Sequence, residues 1–193
     1  LALVLPKKPD VLEWRVDFFE GIGDHAAVIA LARAIKQAAG SIPLLFTRRS
    51  IIEGGEKIAL NEEQVLAMYE AVCESQVLSF HNFSYTPSLD TLVGKFLAAD
   101  QLGADVAKVA VMPRDLDDVL TLLSATQAAN KKLRIPLISM SMGPFGSLTR
   151  MFGWAFGSSL TFAVGAAASA PGQVPIEDLN TVLGLLQKSI SGK

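Results

Sequence analysis

The sequence predicts an α/β domain in which parallel strands alternate with helices, and such a run closes most commonly as an eight-stranded (β/α)8 barrel. Three observations predict it. Strand-like and helix-like hydrophobic patterns alternate along the 193 residues. The strand candidates are continuous apolar runs, as expected when helices cover both faces of a sheet. Polar residues gather at the C-terminal ends of those runs, the rim on which β/α barrels build their sites.

The strand candidates, in order, are Val11–Phe18, Pro43–Arg49, Val77–Phe83, Val106–Met112, Pro136–Met142 and Leu160–Gly165. Helix candidates fill most of the gaps: His25–Ala39, Asn61–Ser75, Ser88–Leu102, Arg114–Asn130, Leu148–Phe156 and Ile176–Ile190. Pro87 and Pro113 each stand just before a helical stretch, where proline suits the first turn. Leu1 to Leu5 reads as the end of a helix. With no low-complexity linker and no short repeat, one barrel domain over residues 1–193 is expected. Six strands leave two to find. One place is before Leu1. The other is near 75–77, where a helix pattern runs into a strand pattern without the usual 2–6 residue connection. A chain discontinuity is expected there.

Composition bounds the function. Half of the residues are apolar, enough for one substantial core, and the net charge of −2 gives no reason to expect a nucleic-acid surface. The single cysteine, Cys73, allows no internal disulfide and lies on a helix-like stretch, where it reads as a small buried hydrophobe. A reducing, cytoplasmic setting fits. No apolar run is long enough to span a membrane, and Leu1–Leu5 is too short for a signal peptide. Two histidines and one cysteine, so dispersed, argue against a zinc site.

The feature most out of place is Lys108, in the apolar run Val106-Ala107-Lys108-Val109-Ala110-Val111-Met112-Pro113. Burial disfavours the charged form of a lysine and makes its amine a nucleophile near neutral pH. A Schiff-base lysine is one reading; a strand-end lysine snorkelling to water, or paired with a carboxylate, is the other. The remaining strand ends supply company. Glu13-Trp14-Arg15-Val16-Asp17 puts Glu13 and Arg15 on one strand face, as site residues or as a structural ion pair. Phe46-Thr47-Arg48-Arg49-Ser50 is followed by Glu53-Gly54-Gly55-Glu56, whose glycines suit a turn better than a phosphate cradle. Ser79-Phe80-His81-Asn82-Phe83 offers a histidine, catalytic or bonded within the core, whereas His25 sits at a helix start. Ser139-Met140-Ser141-Met142-Gly143 places two methionines on one face, as barrel filling or pocket wall, with Arg150 beyond. Ala168-Ser169-Ala170-Pro171-Gly172-Gln173 is a turn or a lid.

Together these groups suit one chemistry. An amine condenses with a ketone, the imine acidifies a neighbouring C–H, and a histidine takes that proton and returns it to a departing hydroxyl. A carboxylate, for which Glu53 is a candidate, orients the imidazole, and arginines hold a substrate carboxylate. Elimination of water from a hydroxy-keto acid follows, with no metal and no cofactor.

These six motifs, in order from Val11 to about Leu186, resemble the type I 3-dehydroquinate dehydratase family of the shikimate pathway. The resemblance implies a (β/α)8 TIM barrel that converts 3-dehydroquinate to 3-dehydroshikimate by syn elimination of water. It implies Lys108 as the imine-forming lysine, His81 as general acid/base and Glu53 as the carboxylate supporting the histidine. Glu13, Arg15 and Arg49 correspond to residues that bind substrate hydroxyls, Arg150 to the arginine that pairs with the substrate carboxylate, and Ser169 and Gln173 to lid residues. It also implies a homodimer, through helices of the C-terminal half. Against the family pattern, the first strand and the fourth β/α unit are missing, and Gly143 to Arg150 is a variant loop. The competing readings are another imine-forming barrel enzyme, of aldolase type, and a non-catalytic ligand-binding barrel.

Overall fold

A computed structural model describes residues 1–191. It divides into two compact units, Leu1–Glu74 and the residues from Ser75 onward.

The N-terminal unit holds a short parallel sheet, β1 (Leu12–Arg15) beside β2 (Leu44–Thr47), with Leu12 opposite Leu44 and Arg15 opposite Thr47. Helix α1 (His25–Ala39) joins them, and α2 (Glu62–Val72) follows. Each helix starts where the sequence supplies a cap. The Asp24 carboxylate accepts from the Ala26 and Ala27 amides, and Asn61 and Gln64 form a reciprocal capping box. Val16, Ile22, Val28, Phe46, Val65 and Met68 make the core, with Trp14, Tyr69 and Cys73 packed on it. Cys73 is half-buried, just past the end of α2, and burial pushes its thiol pKa up.

The C-terminal unit holds a three-stranded parallel sheet in the order β3 (Val77–Asn82), β4 (Val106–Val111), β5 (Leu137–Ser141). Helices α3 (Leu89–Gln101), α4 (Leu116–Asn130), α5 (Gly146–Phe152) and α6 (Ile176–Ser191) complete it. Ser88 and Asp115 cap α3 and α4 through backbone amides. The period-two alternation of β4 sends Ala107, Val109 and Val111 into a core with Leu92, Phe96 and Leu122 of the helices. The opposite face carries Lys108 and Ala110, and there Ala110 packs with Ile138, Met140 and Met142. Met140 of β5, and Met142 just past its end, therefore fill the space on that face.

Five of the six expected strands form, all with parallel partners, and five of the six helices match to within three residues at each end. The sixth is the Leu148–Phe156 candidate: α5 starts two residues early and gives way to a 3-10 turn at Gly153–Phe156. Leu160–Gly165 is not a strand. It makes only single bridges nearby, Leu137 with Ser158 and Val164 with Pro175. The Ser158 hydroxyl accepts from the Ser139 amide at 3.0 Å, so a side chain occupies the donor that a sixth strand needed for its ladder. Helix α2 also ends before Ser75, leaving residues 73–76 as an ordinary short connection to β3. Pro87 and Pro113 stand outside their helices, ahead of the caps Ser88 and Asp115, and Leu1–Lys7 forms turns with a 3-10 segment at Leu5–Lys7.

Candidate active site

In the N-terminal unit, the end of β1 and the loop after β2 bring four of the expected residues together. Arg15 and Arg49 are buried, and Glu13 and Glu53 are half-buried. Arg15 pairs with Asp17 rather than with Glu13: its Nε donates to Oδ1 at 2.8 Å and its Nη2 to Oδ2 at 2.5 Å. The Arg15 guanidinium also lies 4.7 Å from the centre of the Phe18 ring. Burial lowers the Arg49 pKa, the neighbouring Arg15 lowers it further, and Glu13, Asp17 and Glu53 act against both. Two buried cations therefore sit among three carboxylates.

The segment after Arg49 is a tight turn. The Ser50 carbonyl accepts from the Glu53 and Gly55 amides, and the Ser50 hydroxyl lies 3.4 Å from a Glu53 carboxylate oxygen. A Cβ at Gly55 would fall 1.9 Å from the Arg49 carbonyl, so only glycine fits. The Glu53-Gly54-Gly55-Glu56 motif is thus a turn that presents Glu53. Both amides that bracket this turn reach Asp17: Arg49 N–H to Oδ1 at 3.4 Å and Glu56 N–H to Oδ2 at 3.1 Å. Burial works against ionisation of Asp17, but the Arg15 guanidinium and these two amides outweigh it and hold its pKa below the usual aspartate value. Its contribution to stability is therefore present above about pH 4 and is lost as pH falls through the lowered folded-state value.

In the C-terminal unit, the register of β3 and β4 sets Ser79 opposite Lys108 and His81 opposite Ala110. Residues two apart on a strand share a face, so Lys108 and His81 rise on the same side of the sheet. Lys108 is 9% exposed, and its Nζ lies 3.3 Å from His81 Nε2. The other ring nitrogen, Nδ1, lies 3.4 Å from the Ser79 hydroxyl, and the ring stacks on Phe83 at 5.9 Å. Lys108 Nζ also stands 4.9 Å from the centre of the Phe162 ring. A buried amine walled by an aromatic ring, with an imidazole at hydrogen-bond distance, can act as a nucleophile with a proton carrier beside it.

Arg150 belongs to the same group of side chains. It is 1% exposed and donates from Nη1 to the Phe162 carbonyl at 3.1 Å and from Nη2 to the Pro171 carbonyl at 3.3 Å. Its Nε is buried without a hydrogen-bond partner, and no carboxylate among the described residues pairs with it. Burial lowers its pKa to about 10, which still leaves a cation at neutral pH. The Pro171 carbonyl also accepts from the Gly143 amide, and a Cβ at Gly172 would fall 2.1 Å from the Gly143 carbonyl. Ser169 and Gln173 close the loop on itself, with the Ser169 amide donating to Gln173 Oε1 at 2.7 Å. The stretch read as a turn or a lid contacts Arg150 and Gly143 through the Pro171 carbonyl.

Two contributors stand apart from the expected set, Asp17 and Phe162. Asp17 lay within a recognised motif, but only the loop fold shows that both ends of the Arg49–Glu56 turn reach it. Phe162 lies in the stretch that reads as a strand and forms none, so its direction could not be taken from alternation. Among the described residues no cluster of three or more His, Cys, Asp or Glu could hold a metal ion, and no helix is long and apolar enough to cross a membrane.

A family model described as type I 3-dehydroquinase matches the chain in two stretches, residues 2–78 and 75–190. A 3-dehydroquinate dehydratase of Albidiferax ferrireducens is 69% identical over 220 aligned positions, covering 98% of this chain and 83% of the relative. One from Aromatoleum aromaticum is 51% identical, covering 100% of this chain and 86% of the relative. The crystal structure of 3-dehydroquinate dehydratase from Geobacillus kaustophilus superposes with a TM-score of 0.93 at 45% identity, covering 95% of this chain and 83% of the other. A type I enzyme from Clostridium difficile, solved with covalent modified comenic acid, gives 0.84 at 35% identity, covering 94% and 84%.

Proposed function

The chain belongs to the type I 3-dehydroquinase family, and on that premise we propose which of its residues carry the reaction and how. By family and relatives the activity is that of a 3-dehydroquinate dehydratase, a lyase of the shikimate pathway with an α/β barrel-type fold. In the proposed course, the Lys108 amine adds to the substrate ketone and the carbinolamine loses water to give an imine. His81 removes a proton from the adjacent carbon, the electron pair moves toward the imine nitrogen, and the β-hydroxyl leaves with the proton from His81 as water. Hydrolysis of the imine consumes one water, releases 3-dehydroshikimate and regenerates the lysine, so one water is lost overall. The observation that carries this reading is the buried Lys108 Nζ, 3.3 Å from His81 Nε2. Incubation with 3-dehydroquinate tests it: the conjugated enone product is expected to appear by absorbance. Cleavage of a sugar phosphate with no enone would favour an aldolase.

Arg150 is proposed to bind the substrate carboxylate. A buried guanidinium held only by neutral acceptors, with Nε unfilled, is a cation in want of an anion. Arg150→Ala is expected to raise KM, by about 2–5 kcal/mol in binding, with a smaller change in kcat. An unchanged KM for 3-dehydroquinate would remove this role. Ser169 and Gln173 are proposed as lid residues. For Glu13, Arg15, Arg49 and Glu53, the roles read from the sequence are proposed for them as a group, supported by their clustering and by family correspondence.

The chain is further proposed to be a single barrel domain lacking a β/α unit near 75–77. The family model matches in two pieces that meet there, and alignment to a relative runs over 220 positions against 193 residues. A denatured mass of 20.6 kDa is expected; a mass larger by about 30 residues would mean that the segment is present in the protein. A homodimer in a cytoplasmic setting completes the reading, supported by exposed Leu116 and Leu120 of α4 and Leu185 of α6.

A further inference from the structure

We propose that Asp17 is a positioning residue: its carboxylate locks the Arg15 guanidinium and both ends of the Arg49–Glu56 turn into one assembly, leaving Arg15 Nη1 as the donor offered to substrate. The inference rests on the dehydratase reading for its kinetic consequence, but its structural part stands alone. The Asp17 side chain is fully buried, and its two oxygens accept four N–H groups, two from Arg15 and one each from Arg49 and Glu56. A planar guanidinium gripped along its Nε–Nη2 edge keeps one orientation, and the Phe18 ring covers its face. Nη1 is then buried with no hydrogen-bond partner. A buried donor left unfilled costs stability unless something fills it, and an acceptor on a bound molecule would. The same carboxylate clasps the turn that carries Glu53 at its first and last amides, while the Ser50 carbonyl ties its middle. Neither the Arg49 nor the Glu56 backbone, at the two ends of the turn that carries Glu53, can move away without breaking a bond to a buried anion.

Asp17→Asn keeps the shape and removes the charge. Hydrogen exchange at the Arg49 and Glu56 amides is expected to quicken by about ten- to a hundredfold, the scale of a hydrogen bond to a charged acceptor. Amides of α1 and α2 should hold their rates. The kcat/KM for 3-dehydroquinate should fall by about 10²-fold, as for a binding group misplaced by an ångström, with KM carrying much of the change. Unchanged exchange at both amides overturns the proposal, as does a uniform rise across the whole unit with KM unmoved, the mark of general destabilisation. If Asp17→Asn does not fold, the unsubstituted protein decides: Arg49 and Glu56 should exchange as slowly as β1, and exchange as fast as an open loop overturns the lock. If the unsubstituted protein fails to turn over 3-dehydroquinate, the dehydratase reading falls, and the exchange comparison still judges Asp17.

Discussion

Borohydride added with 3-dehydroquinate is expected to leave a substrate-derived mass increment on Lys108, and Lys108→Ala should take up none and show no turnover. β4 is the central strand of its sheet, and every residue of it but Val106 is buried, Lys108 included. Such a position ordinarily goes to an apolar side chain, so an amine kept there needs a use. Its surroundings are an aromatic ring and an imidazole. Lys108→Arg makes the sharper control. It keeps a cation in place but replaces a nucleophilic amine by a guanidinium that stays protonated. If the lysine acted only by its charge, Lys108→Arg would retain activity; if it forms the imine, both variants are inert and untrapped. A thermal midpoint near that of the unsubstituted protein in either variant separates lost chemistry from lost fold. Trapping that persists without Lys108 would move the imine to another amine.

Much of this was legible in the sequence because the relevant signals are local. Hydrophobic periodicity placed the helices from His25, Asn61, Ser88 and Arg114, and the structure caps them with Asp24, Asn61, Ser88 and Asp115 through bonds to amides two or three residues on. Strand alternation put Lys108 and His81 on faces that the parallel register then brought together. What stayed hidden depends on partners distant in sequence. Leu160–Gly165 has strand composition, but a serine hydroxyl and isolated bridges take the bonds that a ladder requires. Strand spacing paired Arg15 with Glu13, two residues behind it, and left Asp17, two ahead, unweighed. The choice falls to Asp17 because the loop after β2 brings it two further donors. Arg150 read as an arginine just beyond a strand; that it is almost wholly buried against carbonyls could come only from the packing of the 162 and 171 segments.

His81→Ala should separate two steps that Lys108 variants cannot. The imine forms at Lys108 and does not need the imidazole as its nucleophile, so borohydride trapping at Lys108 is expected to survive. Elimination should slow by about 10²–10⁴-fold, the usual scale of general acid–base catalysis. The geometry favours this division. His81 Nε2 lies 3.3 Å from the nitrogen that becomes the imine, so a proton on the carbon next to that imine falls within its reach. Ser79 at Nδ1 and the stacked Phe83 ring hold the imidazole plane, so the same nitrogen can take the proton and deliver it to the leaving hydroxyl. Retention of full turnover removes His81 from the mechanism. Collapse of trapping together with turnover assigns the imidazole to imine formation instead, and the proton transfer would then fall to another group.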